Sequence, residues 1–122
     1  MHSNEQHIAA VMIYANDWRQ GLAWYHQAFP DATIVDVAEY DFQYLKLGNI
    51  DIEIVRADEK VSPGAAGTVV YWQTEDFDNR LSFLQGLGAT LYRGPKVIEH
   101  RVRMCQLKDP FGNLMGIREN PK

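Results

Sequence analysis

The segment Ile50-Asp51-Ile52-Glu53-Ile54 alternates three isoleucines with two carboxylates. Successive side chains of an extended strand point to opposite faces, so one face is apolar and the other carries Asp51 and Glu53. A lone carboxylate on an apolar surface must pair, protonate or meet water. Glu53 is therefore the one candidate acid/base in the chain. Paired with Arg118 or Lys46 it would be structural. Free, it could bind a cationic ligand or act as a general base with a raised pKa. Tyr14, Tyr44 and Tyr71 are candidate hydrogen-bond donors to a substrate oxygen.

Other chemistry is sparse. The chain has no Ser-His-Asp set and no Gly-rich phosphate loop. Its single cysteine, Cys105, has no internal disulfide partner, so a reducing, cytoplasmic compartment is expected. Asp17 and Asp76 each precede an apolar helical pattern and are best explained as N-caps, with Gln20 where a capping-box partner would stand.

The elements that position these residues come as a repeat. Val11-Met12-Ile13-Tyr14 leads to Asp17, and Val70-Tyr71-Trp72-Gln73 leads to Asp76, 59 residues later. Trp18, Leu22, Tyr25 and Phe29 then recur at helical spacing, matched by Phe77, Leu81 and Leu84, with Gly88 in the fourth place. Pro30 and Gly88 are helix stops. Strands are expected over Thr33–Val37, Phe42–Leu47 and Ile50–Val55, then over Thr90–Tyr92, Val102–Leu107 and Leu114–Ile117. Turns are marked by Gly48-Asn49 and Asp109-Pro110-Phe111-Gly112-Asn113. Two modules, 7–57 and 67–119, are joined by a linker over Ala57–Gly67. Each reads strand, helix, three strands, an α+β fold of two similar sheets with a helix on each.

Composition limits the function. The chain has 122 residues, 46% hydrophobic and 23% charged, with a formal net charge of −4. That suits one folded domain and lacks the basic excess of a nucleic-acid binder. The apolar run Ile8–Ala15 is too short to span a membrane, and no Lys or Arg precedes it as in a secretory leader. Charge is uneven: residues 36–60 hold seven acids and three bases, residues 89–108 five bases and one acid. Such halves suit pairing of modules within or between chains, or a solvated basic strand.

A doubled βαβββ module closing on Asp109-Pro110-Phe111-Gly112-Asn113, with Asp17 and Asp76 at its helix starts, resembles the vicinal oxygen chelate superfamily. That superfamily holds glyoxalase I, bleomycin-resistance proteins, fosfomycin-resistance enzymes and extradiol dioxygenases. The resemblance covers roughly Ile8 to Glu119. It implies mixed, curved sheets with helices outside and a groove inside, and a common habit of dimerisation. It also implies a divalent metal held by His, Gln or Glu from the first and last strands of each module. Those positions fall here on Ala10, Glu53, Val69 and Gly116, and only Glu53 can bind a metal. A catalytic divalent site needs about three protein ligands. His7 falls at the wrong strand parity to complete one, His100 and Cys105 fall at opposite parities to each other, and His26 lies mid-helix, one residue from the buried face. No metal or other cofactor is expected.

With Glu53 facing the groove, alternation puts Ala10, Met12, Tyr14, Phe42, Tyr44, Lys46, Asp51 and Val55 beside it. From the second module come Val69, Tyr71, Gln73, His100, Met104, Gln106, Leu114, Gly116 and Arg118. The opposite faces carry Val11, Ile13, Leu45, Leu47, Ile52, Ile54, Val70, Trp72, Leu107, Met115 and Ile117, nearly all aliphatic. Aromatic rings and Met with sparse polar groups are the lining of a small-molecule site. The ligand-binding set is Met12, Tyr14, Phe42, Tyr44, Glu53, Tyr71, Gln73, Met104 and Arg118. The expected function is metal-free binding of a small organic ligand, of the sequestration type, by a cytoplasmic homodimer. The alternatives are a lyase, isomerase or dioxygenase of the same superfamily, metal-dependent or based on Glu53, and an interaction module whose groove has closed.

Overall fold

The computed structural model describes residues 8–60, 62–65, 69–98 and 101–119. His7 and His100, weighed above as ligands, lie outside the described residues. The chain divides into two compact units, 1–58 and 59–122.

In the first unit, β1 (Ala10–Ala15) leads into α1 (Trp18–Ala28), followed by β2 (Thr33–Val37), β3 (Phe42–Leu47) and β4 (Ile50–Arg56). The sheet order is β1-β4-β3-β2, with β1 parallel to β4 and the other pairs antiparallel. The second unit repeats this plan. Its β5 (Tyr71–Thr74) leads into α2 (Phe77–Gly86), then β6 (Thr90–Val97), β7 (Arg103–Lys108) and β8 (Leu114–Glu119), in the order β5-β8-β7-β6. Again the outer pair β5/β8 is parallel and the rest antiparallel. The expected α+β fold of two βαβββ modules is therefore the observed one.

Local causes are visible at the helix starts. Asp17 Oδ1 accepts from the backbone N–H of Arg19 at 3.1 Å and of Gln20 at 3.2 Å. Gln20 thus contributes its backbone amide to the cap. Asp76 Oδ1 accepts from the Asn79 amide at 3.2 Å. Each cap satisfies first-turn donors that have no partner inside the helix. At the far end of α2, Gly88 has φ +103°, and the Ala89 amide donates back to Leu84.

The helix-facing sets are as alternation dictates. Leu45, Ile52, Ile54, Leu107, Met115 and Ile117 are buried. Helix α1 buries Gly21, Leu22, Trp24, Tyr25 and Ala28, and α2 buries only Phe77 and Leu84. Gly21 explains how closely α1 lies on its sheet: a Cβ there would stand 2.6 Å from Ile54 Cγ2 and 3.3 Å from Ala15 Cβ. In the second unit a clamp supplements the thinner helix packing. Arg103 meets both carboxylate oxygens of Asp78, at 3.1 and 3.3 Å, and Glu119 at 3.4 Å, with its guanidinium over the Phe77 ring.

The Asp109-Pro110-Phe111-Gly112-Asn113 turn is braced from within and is tied to the preceding linker, where the Gly64 amide donates to Asn113 Oδ1 at 3.0 Å. Asp109 is buried, and its Oδ1 accepts from the amides of Phe111 at 2.8 Å and Asn113 at 2.9 Å. A short 3-10 turn at Ala38–Tyr40 precedes β3, which the alternation alone did not indicate. The expected strand Thr90–Tyr92 runs on to Val97. It lies at the sheet edge, where one register shift against β7 falls at Tyr92 and a second, between Arg93 and Lys96, accommodates Gly94 and Pro95.

Candidate functional site

Each sheet presents a second face, opposite its helix, and strand alternation puts the sequence-derived site residues on these faces, with the exception that the Phe42 ring packs against Trp18 of α1. In the first module Met12 on β1 stands directly across from Glu53 on β4. Met12 is half exposed and Glu53 half-buried. Two residues along β1, Tyr14 shares their side of the sheet by strand alternation, and its hydroxyl donates to Met12 Sδ at 3.4 Å. Tyr44 on β3 is half-buried on the same side. Lys46, weighed as a partner for Glu53, pairs with Asp51 instead, at 3.1 Å. The two are direct cross-strand neighbours, which is the shorter reach. Phe42 meets a different neighbour. Its ring lies 4.9 Å from that of Trp18 at the start of α1, and Arg19 stacks on the other partner of that pair.

The second module fills the corresponding place differently. Tyr71 on β5 is the cross-strand partner of Gly116 on β8, as Met12 is of Glu53. The Tyr71 ring lies over Gly116, in the space a Cβ would take. Its hydroxyl accepts a hydrogen bond from Gln106 Nε2 at 2.7 Å, and Gln106 on β7 is itself the neighbour of Gly116. One tyrosine therefore spans three strands. Gln73, Arg118 and Met104 form the next row along the same sheet: Gln73 and Arg118 are partners, as are Arg118 and Met104. Gln73 and Arg118 are exposed, and Met104 is half-buried.

Two roles escaped the sequence reading. Alternation puts Gln106 on this face but outside the expected ligand-binding set, and in the structure it anchors the Tyr71 hydroxyl. The sequence marks Gly116 only by its lack of a carboxylate, whereas its structural work is to seat a ring. An aromatic residue opposite a strand glycine is the usual signal of such seating. Cys105 is on the helix side, buried and free. Burial pushes its thiol up to about 11, so little thiolate exists near neutral pH and the residue is a poor nucleophile.

The positions where the resemblance puts metal ligands are Ala10, Glu53, Val69 and Gly116. They offer one carboxylate, and one of them lies beneath a tyrosine ring. This donor set does not fit the catalytic divalent site that the resemblance implies, which needs about three protein ligands. Among the described residues no three His, Cys, Asp or Glu side chains cluster as a metal site.

No protein-family model matches the sequence, and no curated protein matches it. Solved structures do. A glyoxalase/bleomycin resistance protein/dioxygenase superfamily member from Sphaerobacter thermophilus superposes with TM-score 0.75 at 17% identity, over 95% of this chain and 98% of the other. A family enzyme of the same description from Burkholderia phytofirmans gives 0.74 at 20% identity, over 91% and 96%. TnmS3, an antibiotic-binding protein from a Streptomyces species, gives 0.72 at 21% identity, over 99% and 100%. The chain has the glyoxalase/bleomycin-resistance/dioxygenase fold. No helix among the described residues of this vicinal oxygen chelate fold is long and apolar enough to cross a membrane.

Proposed function

We propose that this protein binds a small organic ligand without a metal and holds it unchanged, a sequestration role on the vicinal oxygen chelate fold. The observation that carries the reading is the contrast at the two equivalent last-strand positions. One holds Glu53 among Met12, Tyr14 and Tyr44, and the other is a glycine roofed by Tyr71. The first position keeps an aromatic lining with one thioether and few polar groups, the character of a small-molecule surface. The antibiotic-binding neighbour supports the same reading by fold. We further propose a cytoplasmic homodimer. The buried, unreactive Cys105 suits a reducing compartment. The acidic bias of residues 36–60 and the basic bias of 89–108 suit pairing between chains.

The test is elemental analysis of tag-free protein after exposure to zinc, nickel, manganese and ferrous iron, followed by dialysis. No stoichiometric metal is expected, with ligands from a thermal-shift screen then binding at one per chain without turnover. A metal retained at one per chain, or turnover abolished by chelator, would overturn the proposal in favour of a lyase, isomerase or dioxygenase.

A further inference from the structure

Among the described residues, the buried and half-buried carboxylates have partners with one exception. Asp51 holds Lys46 at 3.1 Å. Asp109 accepts from two backbone amides, and Glu119 accepts from the Arg103 amide at 2.8 Å. Glu53 is half-buried on β4 and has no hydrogen bond or ion pair among the described residues. Lys46, the one base that strand alternation puts on this face of β1–β4, is already neutralised by Asp51. Among the described residues the face therefore keeps one uncompensated negative charge, set beside the Met12 thioether and on the same side as Tyr14 and Tyr44.

A carboxylate with aromatic and sulfur neighbours has a definite complement. Ring faces attract cations through their quadrupoles, thioethers accept flat or irregular apolar bodies, and the anion supplies the counter-charge. No hydrogen bond among the described residues competes for the Glu53 carboxylate, which leaves it to a ligand's charge. We propose that this face of the first module takes the cationic end of its ligand, an aromatic or N-alkylated ammonium group, with Glu53 as counter-ion and Tyr14, Tyr44 and Met12 as its lining. The inference rests on the ligand-binding reading above and names its chemical class.

The experiment is titration of the full chain with ethidium, thioflavin T and berberine as cationic aromatic probes. Anilinonaphthalene sulfonate serves as the anionic probe and N-phenylnaphthylamine as the neutral one, all followed by fluorescence. At least one cation is expected to bind, with affinity falling tenfold or more in Glu53→Gln and with added salt, and largely kept in Glu53→Asp. The paired variants separate loss of charge from loss of fold, and thermal melts of both should match the parent. Cation binding that is equal in Glu53→Gln would overturn the assignment. So would binding of only the neutral or anionic probe, and in both cases the ligand-binding reading would stand. Failure of probes of every charge would overturn both.

Discussion

The two modules share one topology, and at the equivalent position of their last strands they carry opposite chemistry. In the first, Glu53 stands opposite Met12 and keeps its charge uncompensated among the described residues. In the second, Gly116 gives up its side chain entirely, and Tyr71 crosses it to reach Gln106 at 2.7 Å. The helices differ in the same sense of division. Helix α1 lies tightly on its sheet through Gly21, whereas α2 buries two residues and is tied down by the Arg103–Asp78 clamp. The difference teaches that duplication fixes where side chains project, and that substitution then decides what each projection does. The first module keeps an uncompensated carboxylate at this position, and the second has replaced it with a tyrosine ring tied to Gln106, with Gln73 and Arg118 exposed one row along.

The largest expected effect tests the cores beneath the two sites. Ile54 and Ile117 occupy equivalent, fully buried positions, and replacing either with Ala should cost about 2–5 kcal/mol by urea denaturation. Ile54→Ala should be the costlier, because its Cγ2 fills the gap under Gly21 where the helix cannot settle further. A larger loss at Ile117 would break the comparison of tight and loose helix packing.

Next in size is Gly116→Ala. A Cβ there collides with the Tyr71 ring, so the ring must move and the Gln106 bond must open. A destabilisation of about 1–3 kcal/mol is expected, with a change in tyrosine fluorescence. Unchanged stability and unchanged fluorescence would show that the ring does not depend on its seat.

The caps come third. Asp17→Ala and Asp76→Ala should each cost about 1 kcal/mol by thermal melting. Asp17 should cost slightly more, since it accepts from two backbone amides and Asp76 from one.

Glu53→Gln is the smallest stability change, within about 0.5 kcal/mol, because no partner among the described residues is lost. A destabilisation well beyond that would mean that Glu53 is a structural ion-pair member, and the contrast between the modules would have to be redrawn.

Legibility followed the range of the interaction. Strands β2 and β3 were readable to the residue because alternation and the Gly48-Asn49 turn are local signals. The two caps were readable because an Asp before an apolar helical pattern acts within one turn. The continuation of β6 past Tyr92 was not, since Gly94 and Pro95 punctuate the sequence and only an edge with shifted register admits them. The pairing of Lys46 with Asp51 required knowing that β3 and β4 set these two directly opposite each other.

The sequence by itself determined the repeat, the α+β plan, the aliphatic faces and the set of residues projecting from the other faces. Those follow from periodicity, turn chemistry and side-chain type, which act over a few residues. The tertiary structure alone decided that Lys46 neutralises Asp51, that Gln106 anchors Tyr71 and that Tyr71 occupies the space above Gly116. Tyr71 and Gly116 meet only because β5 and β8, at opposite ends of the second module, pair in parallel and in one register. Which polar group is left without a partner is settled by such long-range pairings, since each partner found removes a charge or a donor from the surface a ligand can meet.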